Sequence, residues 1–425
     1  MDDAVVSAPR QVPGSEIDLT DGGLYRNGVP HETFAALREV GAVVRHPTVT
    51  VPSGQELGFW SVVRHHEAQQ ANRDWETFTA VDGPGLAPDT IYRDTEMLVA
   101  FDPPAHTRIR RLLSAGFTPR MVAKLEKDIE RRGERILDEV AERGSDVVDV
   151  VAEVAHELPM HVIADIVGIP EEDRPWVFEQ TDVLLRTFDP EAGIDEETGL
   201  LAQVSLFEYA QGLSERKRAE PTDDIWTQLT QAEVLDDEGN AQRLTTHQLD
   251  AFFMILSVAG SETTTNALAQ GVLALADEPD QFAALRSDPG LVVTGADEVL
   301  RWASPVLMFT RTATRDVELG GAPIRKGDRV AIWYPSANRD ELVFEDPFRF
   351  DLARTPNPHV AFGGGGPHYC LGANLAKKEI QVMLAALARR FRALEVVGAP
   401  RWMGAGPVHN VGVSLLHLPV RLVEG

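Results

Sequence analysis

The stretch Ala361-Phe-Gly-Gly-Gly-Gly-Pro-His-Tyr-Cys370-Leu-Gly372 contains the single cysteine of a 425-residue chain. Four glycines precede this cysteine, and an apolar pattern typical of a helix follows it through Leu375, Val382 and Ala386. A thiol at the N-terminus of a helix lies where backbone N–H groups and the helix dipole favour the thiolate. Glycines, which lack a Cβ atom, let the backbone approach a bulky group closely. The combination indicates a thiolate held beneath a flat cofactor, whereas an isolated cysteine is more often a small buried apolar residue.

The glycine run does not fit the two common phosphate-binding patterns. No Gly-Lys-Ser or Gly-Lys-Thr follows it, as a P-loop requires. No strand–turn–helix unit with a later ribose-binding acid accompanies it, as a dinucleotide fingerprint requires. The glycine run is therefore a poor match to both patterns.

The composition restricts the partners and the compartment. The chain has 40 Lys and Arg against 66 Asp and Glu, a net charge of −26, which argues against nucleic acid and anionic membrane surfaces as partners. One cysteine precludes an intrachain disulfide and fits a reducing compartment. The N-terminus lacks the basic start and apolar core of a signal peptide, and the apolar run 251–260 is shorter than the roughly 20 residues of a spanning helix. We expect a cytoplasmic monomer without a membrane anchor.

The segment from Gly366 to Gly372 resembles the haem-binding loop of the cytochrome P450 family. The resemblance implies a mainly helical fold with small β-sheets, in which residues 1–425 form a single domain. It also implies haem b as cofactor and Cys370 as the thiolate ligand of the iron, a ligand that favours O–O bond cleavage. Further haem contacts are implied for four residues of the loop: Phe362, Gly366, His368 and Gly372.

One position of the loop departs from the family pattern. The aromatic residue that usually stands seven positions before the cysteine is replaced by Gly363, and Phe362 stands one position earlier. The loop is therefore one residue longer than the common form, which is similar to some actinobacterial members that oxidise lipids and steroids. Residues 359–392 are assigned to the haem-thiolate loop and the helix that follows it.

Residues 102–113 contain two prolines, which favour a helix start, followed by His106 and Arg110 one turn apart. By itself this pattern is typical of a solvated basic helix face. The resemblance implies instead that both side chains contact haem propionates, together with Arg311 and His359. Charge-assisted hydrogen bonds from such groups hold a buried anion.

The most apolar helix is predicted over residues 245–275 and begins with the capping box Thr245-Thr-His-Gln248. It contains Ala259 and Gly260, small residues that would permit close approach to a flat cofactor. We predict that this helix lies on the distal side of the haem.

Glu262 and Thr263 are polar residues in the middle of this apolar helix, where they are costly unless satisfied or used. Hydrogen bonding of the hydroxyl to a helix carbonyl is one explanation. The other is an acid–alcohol pair that relays protons to dioxygen at the haem. The sequence 259–264 matches the family motif for that role completely.

Glu298 and Arg301 are three residues apart and suited to an ion pair, although exposed pairs of this kind contribute little stability. The resemblance implies that Arg354 joins them in a buried network. These three residues are assigned to structure.

Residues 79–100 are rich in Gly, Pro and Asp and show no periodicity, which predicts a loop. The resemblance implies that this loop covers the substrate. Met97 in the loop, and Val306 and Met308 in an apolar strand, are candidate substrate contacts. At the C-terminus, residues 404–423 alternate apolar and polar residues and predict a hairpin.

The resemblance covers essentially the whole chain and implies a haem-thiolate monooxygenase. It would insert one oxygen atom from O2 into a C–H bond of an apolar lipid, steroid or terpenoid. One alternative keeps the chemistry but acts on a secondary-metabolite intermediate, such as an aminoacyl group bound to a carrier protein. The other is a non-enzymatic haem sensor, against which the intact Glu262–Thr263 pair argues.

Electrons must come from a partner, because neither a flavin module nor an iron–sulfur module is evident in the sequence. A ferredoxin with its ferredoxin reductase is the expected donor. Basic residues flanking the proximal elements are candidates for docking an acidic ferredoxin: Arg108, Arg111, Arg120, Lys124, Lys377 and Lys378.

Overall fold

The structure is a computed structural model that describes residues 17–50, 54–88, 93, 96–114, 117, 119–142, 147–187, 189, 191–235, 241–403 and 412–425. Long helices and short strands alternate along these ranges, so the predicted class, mainly α with small β-sheets, is confirmed. The helices are α1 (His31–Val40), α2 (His65–Arg73), α3 (Ala105–Ser114), α4 (Pro119–Glu142), α5 (Glu157–Val167), α6 (Arg174–Arg186), α7 (Glu196–Ala219), α8 (Ile225–Gln231), α9 (Thr246–Met254), α10 (Gly260–Asp277), α11 (Pro279–Ser287), α12 (Val292–Ala303), α13 (Tyr334–Ala337) and α14 (Ala373–Arg390). The strands are β1 (Val43–Arg45), β2 (Val49–Thr50), β3 (Glu56–Leu57), β4 (Phe59–Val62), β5 (Phe78–Thr79), β6 (Val147–Asp149), β7 (Glu233–Leu235), β8 (Ala241–Arg243), β9 (Met308–Ala313), β10 (Val317–Leu319), β11 (Ala322–Ile324), β12 (Arg329–Trp333), β13 (Phe391–Val396), β14 (Arg401–Trp402), β15 (Leu415–His417) and β16 (Pro419–Glu424).

The predicted long helix is present as α9, a π-helical turn over Ile255–Ala259, and α10. Its start is the predicted capping box, because the Thr245 hydroxyl accepts from the Gln248 N–H while the Gln248 side chain accepts from the Thr245 N–H. We call α9, the π turn and α10 together the central helix. Single π turns inside α-helices occur frequently at functional sites.

The central helix is surrounded by other helices because it is apolar on nearly all sides. It packs against α5, α12 and α14, and α14 in turn packs along α4. The largest hydrophobic cluster joins these elements and includes Phe252, Leu268, Val299 and Leu384, each at most 3% exposed. This arrangement places the helix that follows the cysteine loop in the same core as the central helix.

A five-stranded sheet lies beside this helical core, in the order β1-β4-β12-β9-β5. β4 and β12 are parallel, and the other neighbours are antiparallel. Two side chains of the sheet hold the start of the predicted substrate loop. The Thr310 hydroxyl donates to the backbone oxygen of Gly85 at 2.5 Å, and Arg329 Nη2 donates to that of Gly83 at 3.1 Å.

The hairpin predicted for residues 404–423 is wrong in the part that the structure describes. β15 pairs with β14, whereas β16 pairs with β13 and β6. Alternating apolar and polar residues indicate a strand, but they do not identify the strand with which it pairs. Residues 404–411 lie outside the described residues. Among the described helices, none combines the length and apolar character needed to cross a membrane.

Candidate active site

The cysteine loop is a set of tight turns held by backbone hydrogen bonds. The N–H of Cys370 donates to the backbone oxygen of Phe362 at 3.0 Å, and the N–H of Tyr369 donates to that of Gly366 at 3.2 Å. Burial raises the pKa of the Cys370 thiol, while a bond from the backbone of Gly372 and the charge of Arg110 lower it. Cys370 nevertheless remains exposed. The sulfur therefore faces a recess inside the protein, directly before the N-terminus of α14.

The glycines of the loop make room for α2. Residues 363–366 all have positive φ angles, which side chains rarely tolerate. A Cβ atom on Gly366 would lie 2.2 Å from the backbone oxygen of Asn72, at the end of α2. The glycine run was predicted to permit approach to a cofactor, and the structure shows close packing against α2 at Gly366.

Phe362 occupies the place left by the displaced aromatic residue. Besides accepting from Cys370, it contacts the ring of Tyr369 edge to face, with centroids 6.2 Å apart. The Lys377 ammonium group lies 5.8 Å from the centroid of the Phe362 ring. An aromatic side chain thus stays beside the cysteine loop although the loop is one residue longer.

Four basic side chains, which we call the cationic cluster, gather next to this loop. Arg110 Nη2 donates to the backbone oxygen of Tyr369 at 2.5 Å. The rings of His106 and His368 have centroids 4.3 Å apart. Arg311, on β9, is 2% exposed and donates to the backbone oxygen of the preceding residue at 2.8 Å. Its charge acts on both histidines.

Several buried polar atoms at the cationic cluster have no hydrogen-bond partner in the described part of the chain: both ring nitrogens of His106, Nε2 of His368 and Nδ2 of Asn72. Burial, followed by Arg110 and Arg311, lowers the pKa of His106 to about 4. Burial and the same cations lower the pKa of His368 to about 2. The cluster itself contains no carboxylate. The two propionates of a haem would provide the missing charge and acceptors, so the residues present fit that cofactor.

His359, which was predicted to contact a haem propionate, forms hydrogen bonds within the protein. Its Nε2 is bonded to Oδ1 of Asp297 at 3.2 Å, and its Nδ1 accepts from the N–H of Ala361 at 3.3 Å. Burial raises the pKa of Asp297, but the bonds from His359 and from Lys377, at 2.6 Å, outweigh burial and lower it. Both ring nitrogens thus bond within the protein and fix the start of the cysteine loop, and the cofactor contact of His359 stays a prediction.

On the central helix, the small residues serve two different purposes. Ala259 is exposed although the helix is central. A Cβ atom on Gly260 would lie 2.7 Å from Cδ1 of Ile163 on α5. The glycine therefore permits close packing of two helices, and the approach to a cofactor predicted for Gly260 stays a prediction.

Glu262 and Thr263 both have hydrogen-bond partners. The Thr263 hydroxyl donates to the backbone oxygen of Ala259 at 3.0 Å, four residues earlier. One carboxylate oxygen of Glu262 accepts from the Ser414 hydroxyl at 2.8 Å. Burial raises the pKa of Glu262, and the bond from Ser414 lowers it. No pattern in the sequence indicated Ser414, which is 152 positions away from Glu262.

The three residues assigned to structure lie together. Arg301 donates to Glu298 through Nε at 2.8 Å and Nη2 at 2.7 Å, and both side chains are 0% exposed. Arg354 Nε lies 3.2 Å from Glu298 Oε2. Its remaining donors, and those of Arg301, bond backbone oxygens of the segment 338–349. We call these three residues the Glu298 cluster.

The candidate substrate contacts differ in accessibility. Met97 and Val306 are half-buried, and Val306 forms an isolated β-bridge with Gly412. Met308 is 0% exposed and packs with Leu307 and Trp333 in a second hydrophobic cluster. Met308 thus holds a core position, and its contact with substrate stays a prediction.

Glu379 is a buried acid that the predictions did not include. It is 1% exposed on α14, its Oε1 has no partner among the described residues, and its other interaction is with the Thr264 hydroxyl. Burial raises its pKa to about 8, although Thr264 lowers it. The sequence feature that could have predicted this burial is the position of Glu379 on the apolar face of α14, four residues after Leu375.

The candidate ferredoxin surface is partly neutralised by local acids. Lys377 is paired with Asp297 at 2.6 Å, and Lys378 with Glu126 at 2.8 Å. Arg111 is exposed at the end of α3. Arg108 is half-buried. The side chains of the two remaining candidates, Arg120 and Lys124, lie outside the described residues.

Comparison with known proteins identifies the family. The cytochrome P450 family model matches residues 195–402. A Mycobacterium tuberculosis protein named cytochrome P450 126 is 41% identical over 97% of this chain and 98% of its own length. The steroid C26-monooxygenase of the same species is 37% identical, with coverages of 96% and 93%. The methyl-branched lipid omega-hydroxylase of Mycobacterium bovis is 36% identical, with coverages of 95% and 95%.

A solved structure agrees with these relatives. A Mycobacterium marinum cytochrome P450 in complex with pseudoionone has a TM-score of 0.83 and 35% identity, over 92% of this chain and 94% of that chain. The chain therefore belongs to the cytochrome P450 family. It is a haem-thiolate monooxygenase of apolar substrates, with haem b and the Cys370 thiolate as axial ligand, so these predictions are confirmed. The haem-sensor alternative is not supported.

Proposed function

We propose that the apolar substrate is a lipid, steroid or terpenoid that is hydroxylated at a C–H bond. The observation that carries this proposal is the similarity over nearly the whole chain to a steroid C26-monooxygenase and a methyl-branched lipid omega-hydroxylase. A carrier-bound substrate is less favoured. P450BioI, whose structure contains a fatty-acyl carrier protein, is 29% identical to this chain, below both lipid- and steroid-oxidising relatives.

A binding titration tests the substrate class. Purified holoenzyme is titrated with a sterol-derived ketone, a methyl-branched fatty acid, a terpenoid ketone and an aminoacyl thioester, and the haem absorption band is followed. Displacement of water by a bound apolar substrate changes the spin state, so at least one of the first three compounds should shift the band. A shift with the aminoacyl thioester alone would contradict the proposal.

The cationic cluster supports the proposed mode of haem binding. Haem supplies the activation of dioxygen when it is bound, and a thiolate ligand favours cleavage of the O–O bond. His106, Arg110, Arg311 and His368 would hold the two propionates, because the two arginines carry positive charge and the two histidines have buried ring nitrogens without a partner among the described residues. Phe362, Gly366 and Gly372 would shape the loop that presents the sulfur. Ala259 would lie on the opposite side of the recess.

Glu262 and Thr263 are the proposed proton-delivery pair. A hydroxyl on the recess side of the central helix can pass a proton to dioxygen, and a neighbouring carboxyl group can replace it. Their position immediately after a π turn supports this role, because such turns change the direction of helix side chains and backbone groups. The overall reaction consumes the substrate, O2, two electrons and two protons, and yields the alcohol and water.

The electron donor proposed is a ferredoxin with its reductase in the cytoplasm, where the lone Cys370 stays reduced. Arg111 is the best-supported docking residue among the described candidates, since it is exposed and follows Arg110, which bonds the backbone of Tyr369 in the cysteine loop. The loop 79–100 is proposed to cover the substrate, and its described start is tied to the five-stranded sheet by Thr310 and Arg329. Residues 1–425 are proposed to act as one domain.

A further inference from the structure

We propose that Ser414 is a positioning residue for proton delivery and holds the carboxyl group of Glu262 in its working orientation. The inference rests on the proposed roles of Glu262 and Thr263 and adds the residue that orients the acid. Ser414 lies just before β15, far from the central helix in sequence. Its hydroxyl donates to Glu262 Oε1 at 2.8 Å, and the serine is 6% exposed.

The backbone on both sides of Ser414 is fixed to the central helix. Asn266 Nδ2 donates to the backbone oxygen of Val413 at 2.7 Å, and the N–H of Leu415 donates to Asn266 Oδ1 at 3.1 Å. The Asn266 side chain thus bonds the backbone of both neighbours of Ser414. We call residues 413–415 the C-terminal strap.

The orientation of Asn266 is itself fixed. Gln270 Nε2 donates to Asn266 Oδ1 at 3.0 Å. Glu262, Asn266 and Gln270 follow one another at intervals of four residues, so they lie on one face of the helix. This face is a continuous row of polar side chains along the C-terminal strap. Because the backbone is held on both sides, the strap places Ser414 where its hydroxyl donates to Glu262.

A different explanation is that Ser414 only satisfies a buried carboxyl group. Loss of such a bond would lower stability, by about 1–3 kcal/mol for an unsatisfied buried group, and would leave the reaction unchanged. An orienting bond predicts something else. The acid would rotate away from Thr263 after its loss, and proton delivery would become slower while substrate binding stayed constant.

Kinetics of Ser414→Ala and Ser414→Thr distinguish the two explanations. We expect Ser414→Ala to lower kcat about tenfold, a modest part of the usual contribution of a positioned acid or base, with an unchanged KM and a larger solvent deuterium isotope effect. Ser414→Thr keeps the hydroxyl and should restore both values. Ser261→Ala is the matched control, because that buried serine on the same helix donates to the backbone oxygen of Ser257 at 2.5 Å.

An infrared titration gives a measurement that is independent of turnover. The Glu262 carboxyl band is assigned in holoenzyme by its absence from Glu262→Gln. Removal of the Ser414 donor should move the titration midpoint of this band to higher pH, since the bond from Ser414 lowers the pKa of Glu262. Ser261→Ala should leave the midpoint in place.

The outcomes separate this inference from the proton role of Glu262 itself. If Glu262→Gln leaves kcat and the isotope effect unchanged, the proposed function of Glu262 is wrong, and the proposed role of Ser414 is then wrong as well. If Glu262→Gln is impaired while Ser414→Ala matches the wild type, or Ser414→Thr fails to restore Ser414→Ala, only the Ser414 inference is overturned. Should Ser414→Ala not fold, Ser414→Cys, a much weaker donor, takes its place with the same expected results.

Discussion

The cationic cluster and the Glu298 cluster are both buried, but only the second contains its own carboxylate. Arg301 and Arg354 are paired with Glu298 and with backbone oxygens, so their donors are used within the protein. His106 and His368 keep buried nitrogens that have no partner among the described residues. A buried cluster whose charges and donors are all paired within the protein stabilises the fold. A buried cluster with unpaired groups can instead bind an anion that is not part of the chain. The difference separates structural from cofactor-binding residues without reference to any motif.

Removing the carboxylate of the Glu298 cluster should have the largest effect. Glu298→Ala leaves Arg301 buried without an acid, and the free energy of unfolding should fall by about 3–5 kcal/mol. Chemical denaturation of the haem-free protein measures this loss. Glu318→Ala, an exposed acid on β10, is the control. Equal midpoints for the two variants would show that the cluster is not structural.

The cationic cluster should give the opposite pattern. Arg311→Met removes a buried cation and replaces it with an apolar side chain, so the haem-free fold should keep or gain stability. Haem retention should weaken about 10- to 100-fold, since a hydrogen bond to a charged group contributes about 1.5–3 kcal/mol. Transfer of haem to an excess of apomyoglobin measures retention, and denaturation of the haem-free protein measures stability. Destabilisation without loss of haem retention would reverse the assignment of Arg311.

Glu379 is intermediate between the two clusters, because only one of its two carboxyl oxygens has a hydrogen-bond partner among the described residues. Its pKa is raised to about 8 in the fold, above the model-peptide value of 4.5. The unfolded chain therefore releases this proton more easily, and stability is lost as the pH rises between those two values. Glu379→Gln should remove this loss, so that the variant gains relative to wild type by up to a few kcal/mol on going from pH 5 to pH 8. A difference in stability between Glu379→Gln and wild type that does not change with pH would contradict a protonated, neutral Glu379.

Surface charges should have the smallest effect. Arg111→Glu should slow ferredoxin-supported reduction several-fold at low salt, and the difference should shrink as added salt screens the interaction. Stability should change by less than about 1 kcal/mol. Stopped-flow reduction with Lys326→Glu, an exposed site between β11 and β12, is the control. Equal slowing by both variants would show that overall charge, and not the docking face, is responsible.

The features that the sequence predicted best depend on residues close together in the chain. The capping box of Thr245 and Gln248 was found because both partners lie within one helical turn. The Glu298–Arg301 pair was predicted for the same reason, because its two residues are three positions apart on one helix. By contrast, the pairing of His359 with Asp297 and the burial of Met308 depend on segments that are distant in sequence. A local pattern cannot show which distant segment packs against it.

The sequence by itself determined the family, the thiolate ligand and the mainly helical class, because one short loop with a single cysteine carries the chemistry of the cofactor. Only the tertiary structure decided which polar residues are left free to act. It paired His359 with Asp297, added Glu379 as a buried acid, and brought Ser414 to Glu262 across 152 positions. Burial and hydrogen-bond completeness arise from packing between distant segments, and these two properties distinguish a structural polar side chain from a functional one.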